Sequence, residues 1–201
     1  YNTAATNYAK QFLSELDAKP LDRLLLQRFA MDNKAKGLMG DLGCGTGQTT
    51  YFLQQQGVED LLGIDLSPQM IQQAQAHFNI RFEVGNMLAL QYPANHFGSL
   101  IAFYAVVHFD YDDLALALVE IYRILKPQGE FLFSFHVGEQ VLNIQDFLTH
   151  TVDINFHFLN IDKVLNMAKN IGFTQKEALV RYPYEGKEHT SQRAYILLEK
   201  V

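Results

Sequence analysis

From residue 37 onward, short apolar runs alternate with stretches in which apolar residues return every three or four positions. Residues 37–42 read as a strand, 47–56 as a helix stopped by Gly57, and 61–65 as a second strand. Ser67 then offers an N-cap and Pro68 a first-turn proline for a helix through Phe78, followed by a strand over 80–84. A strand over 97–104 precedes an amphipathic helix over 110–125 that buries Leu114, Leu118, Ile121 and Leu125. Asp110, Asp112 and Asp113 fall at the start of that helix, where acids favour the dipole. Lys126-Pro127-Gln128-Gly129 ends it, and 130–135 is the next strand. Repeated strand–helix units predict a parallel sheet with right-handed crossovers.

Both flanks depart from this rhythm. Residues 1–31 carry apolar positions at helical spacing, with Tyr8, Phe12, Leu13 and Leu16 on one face, and Leu21, Leu24, Leu25 and Phe29 on another. Pro20 divides them into two helices. Residues 137–158 mix polar and aromatic side chains without a clean period, and 160–171, closed by Gly172, is helical. Residues 178–184 and 193–198 form a late pair of strands, joined by a loop of about eight residues that suits an antiparallel hairpin. No internal repeat, low-complexity tract or shift of composition marks a second domain.

A chain of 201 residues with 48% apolar residues can bury a full core. Its net charge of −6 and pI near 5.6 argue against a sequence-independent grip on nucleic acid, which needs a lysine and arginine surface. No apolar run approaches the length of a membrane span, and no basic start with an apolar stretch suggests a signal peptide. The single cysteine, Cys44, forms no internal disulfide, so a reducing cytoplasm is the expected compartment. The partner expected is a small molecule, with the chain a monomer or a homodimer.

The chemistry centres on Gly40-Asp41-Leu42-Gly43-Cys44-Gly45-Thr46-Gly47, placed between the first strand and the first helix of the core. In doubly wound sheets this is the ligand-binding edge. The dinucleotide fingerprint wants a third glycine where Gln48 stands, and a phosphate-cradling loop wants a lysine that Gly47-Gln48-Thr49 lacks. Asp41 would repel a phosphate and suits a ligand bearing an ammonium or a sulfonium. Asp65, at the end of the second strand, can accept both hydroxyls of a ribose.

On these residues the chain resembles the class I S-adenosylmethionine-dependent methyltransferases. The resemblance implies an α/β, Rossmann-like, doubly wound, seven-stranded and mostly parallel sheet, with the last strand antiparallel and helices on both faces. It further implies one domain over 1–201: a helical lid over 1–36, a cofactor-binding core over 37–136, and an acceptor-side helix and hairpin over 137–201. Gly43, Gly45 and Gly47 would let the methionine portion of S-adenosylmethionine lie against backbone, with Asp41 organising the loop and the amino group. Asp65 would hold the ribose, and Leu66 and Met87 the adenine faces. Asn86 stands where the family usually has an aspartate that accepts from the adenine amino group. Cys44, Met70 and Phe103 complete the cofactor set, and Tyr1 and Tyr8 would touch its methionine end from the lid. S-adenosylhomocysteine would be the product.

The acceptor side is sparser. Tyr104, His108 and His136 are candidates to orient or deprotonate an acceptor, Tyr104 first; the competing reading has Tyr104 packing and His108 capping a helix. His77, His96 and His150 read as surface or loop residues without metal-ligand spacing, and no metal site is expected. No Asp/Asn-Pro-Pro-aromatic sequence follows the fourth strand, which argues against DNA-base acceptors. Residues 181–189 either reach over the acceptor, with Arg181, Tyr184 or Arg193 meeting an anionic or aromatic group, or form a solvated turn around one buried ion pair. The alternatives are an NAD(P)-dependent oxidoreductase, disfavoured by Gln48, and a cofactor-binding protein without catalysis.

Overall fold

The structure is a computed structural model that describes residues 15–147 and 150–201. Seven strands form one sheet: β1 (Met39–Leu42), β2 (Leu61–Asp65), β3 (Arg81–Val84), β4 (Phe97–Phe103), β5 (Leu125–His136), β8 (Phe173–Arg181) and β9 (Arg193–Lys200). Their order is β3-β2-β1-β4-β5-β9-β8. The first five are mutually parallel, and β9 enters antiparallel between β5 and β8. This is the sheet that the strand–helix rhythm and the resemblance imply.

Helices α1 (Pro20–Asn33) and α2 (Gln48–Gln55) cover one face, where Leu26, Phe29 and Ala30 pack with Phe52, Leu53, Met39, Ile101 and Leu132. Helices α4 (Tyr111–Ile124) and α5 (Ile161–Ile171) cover the other, packing Leu114, Leu118, Ile121, Val164 and Ala168 around Leu100, Phe131 and Phe133. Helix α3 (Pro68–His77) packs Ile71 and Ala74 against Phe82 of β3. The strands in the middle are buried on both faces, which is why they read as continuous apolar runs rather than alternating ones. Caps fall where the sequence offers them: Ser67 Oγ accepts from Met70 N, Asp110 from Asp113 N, and Asn160 from Lys163 N.

Three expectations are corrected, and one unassigned segment gains a structure. The inward stripe of α1 is Asp22, Leu26, Phe29, Ala30 and Asn33, while Leu24 is 59% exposed; two polar residues point inward, and a reading from apolar spacing alone turns the helix the wrong way. Residues 141–157 form an antiparallel hairpin of β6 (Val141–Phe147) and β7 (His150–His157) apart from the main sheet. Strand β8 begins at Phe173, directly after Gly172, because its largely exposed residues carry no apolar signal. The loop to β9 therefore spans 182–192. The proposed helix before residue 15, with Tyr1 and Tyr8, lies outside the described residues.

Candidate active site

The reversal of strand order lies between β1 and β4, and the loops leaving these two strands line a cavity of about 720 Å3. Gly43 (φ 71°) and Gly47 (φ 86°) both take left-handed backbone. A Cβ on Gly43 would sit 2.4 Å from that of Ala105, just past β4, and one on Gly47 would sit 2.8 Å from the Phe82 ring. These glycines thus seat the loop against β3 and the β4 turn. Cys44 is buried, packed with Ile71, Ala74 and Phe82, and burial with the Asp41 and Asp65 charges raises its thiol well above the ordinary range.

Asp65 stands at the tip of β2. Its Oδ2 accepts from Gly45 N at 2.9 Å and its Oδ1 from Ser67 N at 2.8 Å, so the carboxylate fixes the glycine loop while still facing the cavity. Burial raises its proton affinity, and the two backbone N–H groups oppose the shift. Leu66, Met70, Gly85 and Met87 continue the lining. Asn86 does not border the cavity: it is exposed, and its Oδ1 accepts from Leu88 N at 3.0 Å. His108 lies in a 3-10 turn (Val106–His108), with Nδ1 3.0 Å from Asn155 O; burial lowers its pKa. Ile154, Asn155 and His157 of β7 close this side, so the aperiodic segment supplies a wall.

A second cavity, of about 420 Å3, shares Gly43, Gly45 and Tyr104 with the first. Asp41, Cys44, Phe103 and His136 also border it. Asp41 is 1% exposed; Thr50 Oγ1 donates to it at 2.6 Å, and burial, opposed by that bond, pushes its pKa up to about 7. His136 Nδ1 lies 2.8 Å from Ser191 Oγ, and its ring stacks on Phe158. Burial, with the charges of Arg193, His189 and Lys19, lowers it to about 4.

Among the described residues the first cavity has Asp65 as its one charged wall residue and no lysine or arginine. A pyrophosphate finds no cation there, and Gln48, where the third fingerprint glycine would stand, is held by Thr46 Oγ1 at 2.7 Å. An apolar slot beside one carboxylate and a bare loop instead fits an uncharged-base nucleoside with a cationic tail. Residues 40–129 match the model of the methyltransferase domain family. Over residues 40–129 the chain thus carries a methyltransferase domain, on a fold it shares with solved S-adenosylmethionine-dependent methyltransferases. It is 24% identical over 179 residues to phosphoethanolamine N-methyltransferase 3 of Arabidopsis thaliana, covering 87% of this chain and 33% of that one, so it spans about a third of that relative. Over 95 residues it is 36% identical to malonyl-[acyl-carrier protein] O-methyltransferase of Erwinia billingiae, covering 47% of this chain and 37% of that one. The crystal structure of an S-adenosylmethionine-dependent methyltransferase from Clostridium acetobutylicum superposes with a TM-score of 0.74 at 18% identity, covering 100% and 98% of the two chains.

Beside the second cavity the chain carries a buried polar cluster, of which only the ion pair within residues 181–189 was among the sequence expectations. Asp22 of α1, 0% exposed, accepts from Tyr195 OH at 2.6 Å, Tyr104 OH at 3.1 Å and Arg181 Nη2 at 3.1 Å. Arg181 Nη1 and Nη2 also donate to Glu188 at 2.6 and 2.9 Å. Lys19 Nζ lies 3.3 Å from Glu188. Burial works against both charges of the Arg181–Glu188 pair, but their hydrogen bonds hold Glu188 down at about 2 and Arg181 well above its usual range. Burial and the Asp22 carboxylate raise the Tyr104 phenol far above normal. Tyr104 also has φ 54°, a conformation that costs a non-glycine residue about 1 kcal/mol or more. Ser134 Oγ, accepting from its N–H at 2.9 Å, and Asp22 at its hydroxyl hold it there. Asp22, Glu188 and Tyr195 were not singled out, because a buried acid or phenol looks like a surface one in a linear reading.

Proposed function

We propose that this chain transfers a methyl group from S-adenosylmethionine to a small-molecule acceptor at oxygen, nitrogen or sulfur. The observation that carries this is the first cavity: a carboxylate at the β2 tip, apolar walls and no cation for phosphate, opening at Gly43 and Gly45 into a second chamber of small-molecule size. When bound, the cofactor supplies an electrophilic methyl group on a sulfonium, open to in-line attack. Asp65 would accept from the ribose hydroxyls, with Leu66, Met70 and Met87 on the base, and Gly43, Gly45 and Asp41 beside the methionine end.

Methyl transfer to a good nucleophile needs chiefly alignment and exclusion of water. Tyr104 fits alignment rather than proton transfer, since its proton is committed to Asp22 while its ring borders both chambers. His136 is uncharged near neutrality and presents an imidazole to the second chamber, where it can receive a hydrogen bond or take a proton from an acceptor that carries one. His108 borders the nucleoside side and serves to hold the β7 wall through Asn155. The names of the relatives, which act on phosphoethanolamine and on a malonyl thioester, support a small metabolite or carrier-bound acid as acceptor.

Calorimetry with S-adenosylmethionine, S-adenosylhomocysteine and NAD tests the donor. Both sulfur nucleosides are expected to bind, and Asp65→Ala to weaken them by about 100-fold, from two charge-assisted bonds of roughly 1.5 kcal/mol each. Binding of NAD alone, or undiminished binding in D65A, overturns the reading; a turnover screen for S-adenosylhomocysteine across metabolites then separates catalysis from binding.

A further inference from the structure

The second chamber is bordered by charges of both signs, Lys19, Lys187 and Arg193 against Asp22, Asp41 and Glu188. Its buried cluster holds three cations, Lys19, Arg181 and Arg193, against two carboxylates, Asp22 and Glu188. Asp41 also borders the chamber but bonds Thr50 and not this cluster, and Lys187, exposed on the 182–192 loop, adds a cation with no ion pair of its own. With Arg181, which pairs with Asp22 and Glu188 but does not line the chamber, the count is four cations to three acids.

Arg193 is the least satisfied of them. It is 3% exposed, and its Nε lies 3.6 Å from Glu188 Oε1, beyond hydrogen-bond reach, with no other partner. Nη1 donates to the backbone oxygens of His189 and Ser191, which aims the guanidinium beside His136 and His189 at the chamber wall. A buried guanidinium N–H without an acceptor is costly unless an anion completes it.

Resting on the methyl-transfer reading, we infer that Arg193, with Lys19, Lys187, His136 and His189, binds an oxyanion group of the acceptor, a carboxylate or a phosphate, and so selects acidic acceptors. The chamber's position beside Gly43 and Gly45 leaves a second source of the same chemistry, the carboxylate of the cofactor itself, and the test separates the two.

The complex with S-adenosylhomocysteine is titrated with inorganic phosphate and, separately, with acetate, following the histidine ring signals by NMR. The expected result is millimolar binding of at least one anion that moves the His136 and His189 signals and leaves His77 and His96 unmoved. Arg193→Gln is expected to weaken it at least tenfold, about the loss of one charge-assisted bond. Lys187→Gln, on an exposed loop where folding is not at stake, is expected to weaken it about twofold to fivefold. Affinity for S-adenosylhomocysteine stays unchanged in K187Q. The tighter anion identifies the acceptor's acid group. Failure of both anions to move His136 and His189, displacement of S-adenosylhomocysteine by them, or undiminished anion binding in K187Q and R193Q overturns the inference alone. Failure to bind S-adenosylhomocysteine at all overturns the donor reading beneath it.

Discussion

The phenol of Tyr104 donates to Asp22 Oδ2 across 3.1 Å, joining the end of β4 to the first turn of α1. The contact makes the residue at the border of both chambers part of a buried ion-pair cluster. Tyr104→Phe is expected to keep turnover within about tenfold while lowering unfolding free energy by about 1–2 kcal/mol, the value of one buried bond to a charge. Asp22→Ala is expected to cost about 3–5 kcal/mol, because Arg181 keeps its charge in the interior with one acid fewer. Urea unfolding and steady-state assays check both, and a thousandfold loss of turnover in folded Y104F would assign the phenol a chemical role.

Gly43 tests how closely the glycine loop is seated. Gly43→Ala places a methyl 2.4 Å from Ala105 Cβ on a backbone at φ 71°, and is expected to abolish measurable S-adenosylhomocysteine binding. Ala105→Gly, added to it, removes the collision but leaves the backbone strain of about 1 kcal/mol. The double variant should therefore regain part of the affinity by calorimetry. No regain would mean that the glycine is required by the ligand rather than by the β4 turn.

Much of the donor half was legible because local signals and tertiary roles coincide there. Gly43, Gly47, Ser67 and Asp110 each do locally what their residue type does best, and the central strands declare themselves by unbroken apolar runs. The acceptor half was illegible for the opposite reason. Asp22 and Glu188 are buried by partners 100 or more residues away or across a loop, and no period marks such a pairing. Ile154, Asn155 and His157 of β7 wall the first cavity and Phe156 the second, so polar and apolar members alike face a cavity and the strand shows no period of two.

Gln128 occupies a left-handed position, φ 63°, inside the bulge where β5 leaves register between Leu125 and Glu130. Gln128→Gly relieves the strain and is expected to raise stability by about 0.5–1 kcal/mol. A thermal melt that falls instead would show that the Gln128 side chain contributes more than its backbone costs.

His136 and Asp41 tilt the stability profile in opposite senses. His136 drops from 6.5 to about 4 on folding, so the unfolded chain takes the proton first; its contribution is present above pH 6.5 and lost as pH falls through 4. Asp41 rises from 3.8 to about 7, so the folded chain holds the proton over that window; its contribution is full below pH 3.8 and lost as pH rises through 7. Unfolding free energies of the wild type minus those of His136→Gln should shrink on acidification from 6.5 to 4. The difference from Asp41→Asn should shrink on going from 4 to 7. A flat difference in either window refutes the corresponding assignment.

Strand β9 follows β8 in the chain yet lies inside it in the sheet, between β5 and β8. During synthesis β8 thus has no hydrogen-bonding neighbour until β9 has emerged, and the β5 edge stays open for the same interval. The half carrying the glycine loop pairs strands that are close along the chain, whereas the wall carrying Arg181, Arg193 and Tyr195 needs β9 in place before β8 has a neighbour. The second chamber is therefore walled by the one part of the sheet whose pairing runs against chain order.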